Sequence, residues 1–303
     1  MVAGTTRFTS SQRRTGARLA LIGLIINFVL ATTKITAGLL GNSYALIADG
    51  IESVLDIFGS LVIWFGLSVA SAPPDAGHPY GHGKAESVAA MVVAFIIMAA
   101  ALALAVESVR EIVTPHHAPA PFTLIVLVVV VITKELLFRT VLRASEKIGS
   151  PAIHADAWHH RADAITSIAA FVGISIALIG GPGWEPADDW AALAACALIG
   201  FNGWSLLRPA LAEAMDAAPP RELEEAIRTV ALSAPGVTAI DQCRIRKMGL
   251  ELWIDIHIEV DGNISVREGH AIAHLVKDRI RSENPLVADV LVHVEPADDS
   301  GRS

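Results

Sequence analysis

The chain has 303 residues, with 23 basic and 31 acidic side chains, a net charge of −8 with histidines neutral. Such a balance excludes a nucleic-acid binder, which needs a basic footprint. Apolar residues make up 53% and charged residues 18%, with mean hydropathy +0.51; soluble domains carry about 25% charged residues, so the composition is that of a membrane protein.

Two cysteines, Cys196 and Cys243, form no CxxC, so neither a disulfide framework nor a thiolate zinc site is expected. Residues 1–17 read as an N-terminal tail. Arg7, Arg13, Arg14 and Arg18 precede a long apolar run without a signal-peptide cleavage site.

A span needs about 20 apolar residues. Six candidates follow, at 19–40, 44–70, 86–106, 122–142, 152–178 and 190–207, within a membrane domain expected over 18–214. The fourth is apolar only to Thr133 and then meets Lys134, Glu135 and Arg139, so its inner end is expected to be polar or to snorkel. Lysine and arginine concentrate in the tail, in Lys84, in Arg139, Arg143 and Lys147, and in Arg208, whereas 41–43, 115–121 and 180–189 carry none. The positive-inside rule therefore puts both termini in the cytoplasm of a cell inner (plasma) membrane protein.

From about Met215 the composition changes, and Pro219-Pro220 separates the spans from a C-terminal domain expected over 215–298, with a floppy tail at 299–303. A helix is expected at 221–232, a strand at 237–247 and a second at 251–260. In that second strand Leu252, Ile254, Ile256 and Ile258 alternate with Trp253, Asp255, His257 and Glu259. Ser265 and Glu268 spell a capping box that opens a helix to about Ser282, and 287–294 is a last strand. The α-β-β-α-β order suggests a small ferredoxin-like α+β domain.

An ionisable group in mid-membrane costs about 2.5–3.5 kcal/mol on insertion scales, so each one points to function. The second span holds Asp49, Glu52 and Asp56; Glu52 and Asp56 are i,i+4 on one helix face. The fifth holds His159 and Asp163, again i,i+4, with His160 pointing about 100° away as packing or support. Packed face to face, these helices would close a site of one histidine and three carboxylates, a set suited to tetrahedral Zn²⁺. The alternative is that the carboxylates pair with Arg161 or Lys134, or line a water cavity. Asp75, His78 and His82 lie within eight positions on a Pro/Gly-rich loop and either bind metal or form a solvated loop. In the C-terminal domain His293 and Glu295 share a strand face, His257 projects from another strand, and His270 and His274 are i,i+4 on the helix. His274 reads as a helix-surface residue, and His116 and His117 lie on an outward loop.

The paired Glu52/Asp56 and His159/Asp163 motifs, the run from His78 through His82 and Lys84 to Glu86, and six spans followed by a small domain resemble the cation diffusion facilitator family over about 18–296. The resemblance implies a homodimer that exports a cytoplasmic divalent metal, most often Zn²⁺, in exchange for protons. It implies a transport site at Glu52, Asp56, His159 and Asp163, and a second site at Asp75, His78 and His82. It also implies an interface cluster at His257, His270, His293 and Glu295, and a pairing of Lys84 with an Asp216 carboxylate across the dimer. Two departures stand out. Glu52 replaces the Asp or His of many zinc exporters, a harder ligand that disfavours Fe²⁺, Mn²⁺ and Co²⁺ less than histidine would, with Cd²⁺ a further candidate. Asp241 stands where some members have a further histidine.

An intramembrane metalloenzyme is disfavoured by the lack of HExxH or a nucleophile motif. A membrane-bound metal sensor remains the non-transporting alternative. An ATP-driven pump is excluded, since no P-loop occurs.

Overall fold

The computed structural model describes residues 10–113, 118–148, 151–181, 183–249 and 251–297; Arg7, His116 and His117 lie outside them. Six long helices come first: α1 (Ser10–Leu40), α2 (Tyr44–Ala70), α3 (Ala85–Val113), α4 (Phe122–Ile148), α5 (Pro151–Gly180) and α6 (Pro186–Ala214). Then follow α7 (Arg221–Leu232), β1 (Ala239–Met248), β2 (Glu251–Val260), α8 (Val266–Glu283) and β3 (Val287–Pro296).

Five of the long helices, α1, α2, α3, α5 and α6, are apolar and long enough to cross a membrane. The exception is α4, whose apolar run is broken by Lys134, Glu135 and Arg139. Of the two expectations for its inner end, polar or snorkelling, Lys134 fits the first, being only 1% exposed. Its ammonium points inward because a carboxylate on α5 faces it there, as described below.

The chain divides into two compact units, one built from the stretch through Leu61 with Val93–Ser205, the other from Val62–Val92 with the stretch from Leu206 on. In the first unit the core is made largely of small and aliphatic side chains, among them Ala45, Leu46 and Ala48 of α2, Leu127 of α4 and Ala170 and Ile174 of α5. Small residues let apolar helices approach closely where no hydrophobic force drives them together. Gly50 does this for α2: a Cβ there would lie 2.7 Å from Ile35 Cγ1 and 3.1 Å from Lys34 Cβ. The acidic face of α2 is thereby pressed against α1 at Lys34.

In the second unit β1 pairs antiparallel with β2, and β2 pairs parallel with β3, giving the order β1-β2-β3. The alternation of β2 emerges intact: Leu252, Ile254, Ile256, Ile258 and Val260 are buried and the intervening residues are not. Ile227 and Ala231 of α7 and Val276 and Ile280 of α8 cover that face, each large aliphatic side chain contributing roughly 1.5–3 kcal/mol on burial. Ser265 caps α8 as its sequence requires, accepting from the Glu268 backbone N–H while the Glu268 carboxylate accepts from Ser265. Burial pushes the Cys243 thiol up to about 11, which keeps it protonated at neutral pH and a poor metal ligand.

Candidate metal centre

Ligand atoms of Asp56, His159 and Asp163 all lie within 4.8 Å of one another. One helical turn separates His159 from Asp163 on α5, which stacks them on one face, and α2 supplies Asp56 opposite. His159 Nε2 stands 3.6 Å from Asp56 Oδ2 and 3.9 Å from Asp163 Oδ1. Glu52 lies one turn before Asp56 but outside this trio; its Oε2 is buried without a hydrogen-bond partner. A buried carboxylate oxygen without a donor is costly, and a cation drawn in by the trio would relieve it. His160 is buried, its ring centroid 6.4 Å from that of His159, and is not part of the trio.

Asp49 is engaged elsewhere. Lys34 Nζ lies 2.9 Å from Asp49 Oδ2, Ser167 donates to the same oxygen at 2.8 Å, and Lys34 also donates to Ser53 Oγ at 3.1 Å. Lys34 is fully buried; sequence reasoning passed over it, although a lysine in the middle of an apolar run is itself a signal. Lys134 donates to Asp163 Oδ2 in a very short contact and to Asn27 Oδ1 at 2.9 Å. The pairing of Lys134 with a carboxylate, set out above as the alternative to a metal site, is thus present. It occupies only one Asp163 oxygen, however, and the other faces His159. Arg161 takes no part: its guanidinium lies 4.8 Å from the Phe138 ring centroid and 5.5 Å from that of Trp158, a cation–π arrangement.

On the loop between α2 and α3, Asp75, His78 and His82 again bring ligand atoms within 4.8 Å. Asp75 Oδ1 is 3.5 Å from His78 Nδ1 and Asp75 Oδ2 is 3.5 Å from His82 Nε2. The turn is built by Asp75 itself, which accepts from the backbone N–H groups of His78 and Gly77 at 2.7 and 2.8 Å. These donors, His78 first, hold the Asp75 carboxyl below the usual carboxylate range. Lys84 Nζ pairs with Asp216 Oδ1 at 2.9 Å within the same chain. Asp216 adopts φ 55° just past α6, a left-handed turn that carries its side chain back to Lys84.

In the C-terminal domain the parallel register sets His257 directly opposite His293 and Glu259 opposite Glu295. His257, His293 and Glu295 form a third trio within 4.8 Å, with His257 Nδ1 2.7 Å and His293 Nε2 3.5 Å from Glu295 Oε1. His270 stands outside it, its ring stacked edge-on against His274 at 4.5 Å, although it shares a groove with Glu295. Asp241 is exposed, at the irregularity between Ile240 and Cys243 that breaks the β1–β2 register.

Comparison with known proteins matches residues 20–213 to the cation efflux transmembrane domain and residues 219–297 to the cation efflux protein cytoplasmic domain. The manganese efflux system protein MneP of Bacillus subtilis is 32% identical over 95% of this chain and 98% of its own length. The magnetosome protein MamB of Paramagnetospirillum magneticum is 33% identical over 86% of this chain and 87% of its own. The cation-efflux pump FieF of Cronobacter sakazakii is 29% identical over 92% of each. With both segments matched in order and the helices and ligand trios in place, the chain belongs to the cation diffusion facilitator family of multi-pass cation efflux proteins.

Proposed function

We propose that the chain exports a divalent transition-metal ion, Zn²⁺ foremost, from the cytoplasm in exchange for protons. The observation that carries this is the convergence of Asp56, His159 and Asp163 from two apolar helices, with the unpartnered Glu52 oxygen one turn away. One histidine and three carboxylates suit tetrahedral Zn²⁺ and leave Mn²⁺, Fe²⁺, Co²⁺ and Cd²⁺ open. The name of the Bacillus subtilis relative supports Mn²⁺ as the nearest rival.

Ligands must be deprotonated to hold metal, so binding releases protons and protons expel metal. Facing the cytoplasm, the site takes the ion. Facing an acidic exterior, His159 and a carboxylate take protons and the ion leaves. Rocking of α2 and α5 against their neighbours exposes the site alternately. Six spans with both termini in the cytoplasm follow if α4 crosses as well, with Lys134 paired to Asp163 and Glu135 to Arg139 offsetting the charges that its composition shows. The protein is then a homodimer in the inner membrane, with a membrane domain over 18–214 and a ferredoxin-like domain over 215–298. The trio His257, His293 and Glu295, with His270 and Asp241 joining at the subunit interface, would bind regulatory metal, and Asp75, His78 and His82 would bind a second ion at the cytoplasmic face. Initial-rate flux in proteoliposomes with Zn²⁺, Mn²⁺, Fe²⁺, Co²⁺ and Cd²⁺ in turn tests the function. Equal, carrier-independent leak for all five would reject a transporter and leave the membrane-bound sensor.

A further inference from the structure

Two buried ammonium groups border the proposed transport site. Lys34 and Lys134 are 0% and 1% exposed, and each is matched to one carboxylate, Asp49 and Asp163. Asp49 lies one turn before Glu52 and Ser53 on α2, and Asp163 lies beside Asp56 and His159, so both pairs border the trio. Charges of this kind in an apolar bundle are expensive unless paired. The cluster holds four carboxylates, on Asp49, Glu52, Asp56 and Asp163, against two ammonium groups. Glu52 and Asp56 have no lysine partner among the described residues; once they deprotonate to take an ion, the cluster carries two negative charges more than its lysines offset. Of the other charged groups on α4 and α5, Glu135 pairs with Arg139 and Arg161 lies over aromatic rings.

We propose that Lys34 and Lys134 are fixed internal counter-cations that set the charge of the site to match one divalent ion. This rests on the assignment of Glu52, Asp56, His159 and Asp163 as the transport site and adds the residues that tune its charge. A loaded site is then electrically neutral, so it can move through the apolar bundle without dragging in a further counter-ion. The two lysines act at different points. Lys134 takes Asp163 Oδ2 and leaves Oδ1 towards His159, so it also orients a ligand. Lys34 touches no ligand of the trio; it holds Asp49, which with Ser53 and Ser167 ties α1, α2 and α5 together. It can act on the ion through its charge or through the helices it ties, and a charge cycle with Asp49 separates the two.

The test is a charge cycle in the full-length protein, reconstituted in proteoliposomes, with Mn²⁺ as the probe and initial rates giving KM and kcat. Lys34→Met adds one net negative charge, and it should lower KM about tenfold, equivalent to about 1.4 kcal/mol. It should lower kcat as well, because the ion is then held too tightly in the ground state. Asp49→Asn removes a negative charge and should raise KM about tenfold. The double variant restores the balance and should bring KM back towards the wild-type value. Lys134→Arg, which keeps the charge, should leave KM near wild type, whereas Lys134→Met should lower it. A double variant as impaired as its worse single, or a Lys34→Met variant with raised KM, would show that the lysines only hold the fold and would overturn the proposal. If Lys34→Met does not assemble, Asp49→Asn decides: a KM at or below wild type overturns the proposal. Asp56→Ala is measured beside them. If it transports normally, the transport-site assignment has failed, which is a different result from failure of the charge balance.

Discussion

At the scale of single residues, the proposed transport ligands fall into two kinds. Asp56, His159 and Asp163 stand together, and none can be spared from a site that has few ligands. Asp56→Ala and Asp163→Ala should each cut flux at least about a hundredfold, the loss expected when about 2.7 kcal/mol of ion stabilisation is removed. Flux near the wild-type rate in either would remove that residue from the site. Glu52 stands one turn away with an unpartnered buried oxygen, and in the proposed site it is the position that would set softness. Glu52→His should shift the Zn²⁺/Mn²⁺ flux ratio towards Zn²⁺; an unchanged ratio would mean that Glu52 never touches the ion. Asp49, which lies in the same stretch of α2, is not an equivalent choice, since Lys34 and Ser167 hold its Oδ2 and Thr166 Oγ1 lies 3.5 Å from its Oδ1.

At the scale of elements, local patterns in the chain translate directly into structure and cross-helix pairings do not. The capping box at Ser265 and Glu268 and the alternation of β2 are short-range signals, and both appear where the spacing puts them. The i,i+4 spacing of His159 and Asp163 likewise guarantees a shared face. What remained hidden depends on which helices touch. Lys34 meets Asp49 only because α1 and α2 close over Gly50. Lys134 turns inward because Asp163 is there, a pairing that composition left open beside snorkelling. The β2–β3 register that brings His257 opposite His293 is equally a product of tertiary pairing. The stability of the small sheet rests on its fully buried isoleucines: Ile256→Ala should cost about 3 kcal/mol, read as a lower denaturant midpoint of Trp253 fluorescence in a background lacking the other tryptophans. The loop element has its own pH behaviour. Because the Asp75 carboxyl is held below its ordinary value of 3.8, its contribution to the turn is fully present above that pH. The contribution is lost only as pH falls through the lowered value. Acidifying from pH 7 to 5 should therefore leave the hydrogen-exchange protection of the Gly77 and His78 amides unchanged in metal-free protein, and loss of protection would mean that the turn has another anchor.

At the scale of the whole molecule, the proposed function has ions cross in the membrane domain while the C-terminal domains of the proposed dimer bias the equilibrium between its states. His257, His293 and Glu295 converge on one sheet face, and metal there should draw two such domains together. Spin labels on the two C-terminal domains should report a shorter distance with Zn²⁺ than without. His257→Ala combined with His293→Ala should remove that shortening and slow transport several-fold without abolishing it; identical wild-type distances in both conditions would reduce the domain to a static contact. The central claim, however, is that a divalent ion is exchanged for protons at Asp56, His159 and Asp163. It is tested most directly by Zn²⁺ flux in proteoliposomes of the full chain, driven by a pH gradient with acid on the side that receives the metal, for the wild type and for His159→Ala. The account predicts gradient-dependent flux in the wild type and loss of that dependence in the variant. Wild-type flux indifferent to the gradient, or a variant that keeps full coupling, would contradict it.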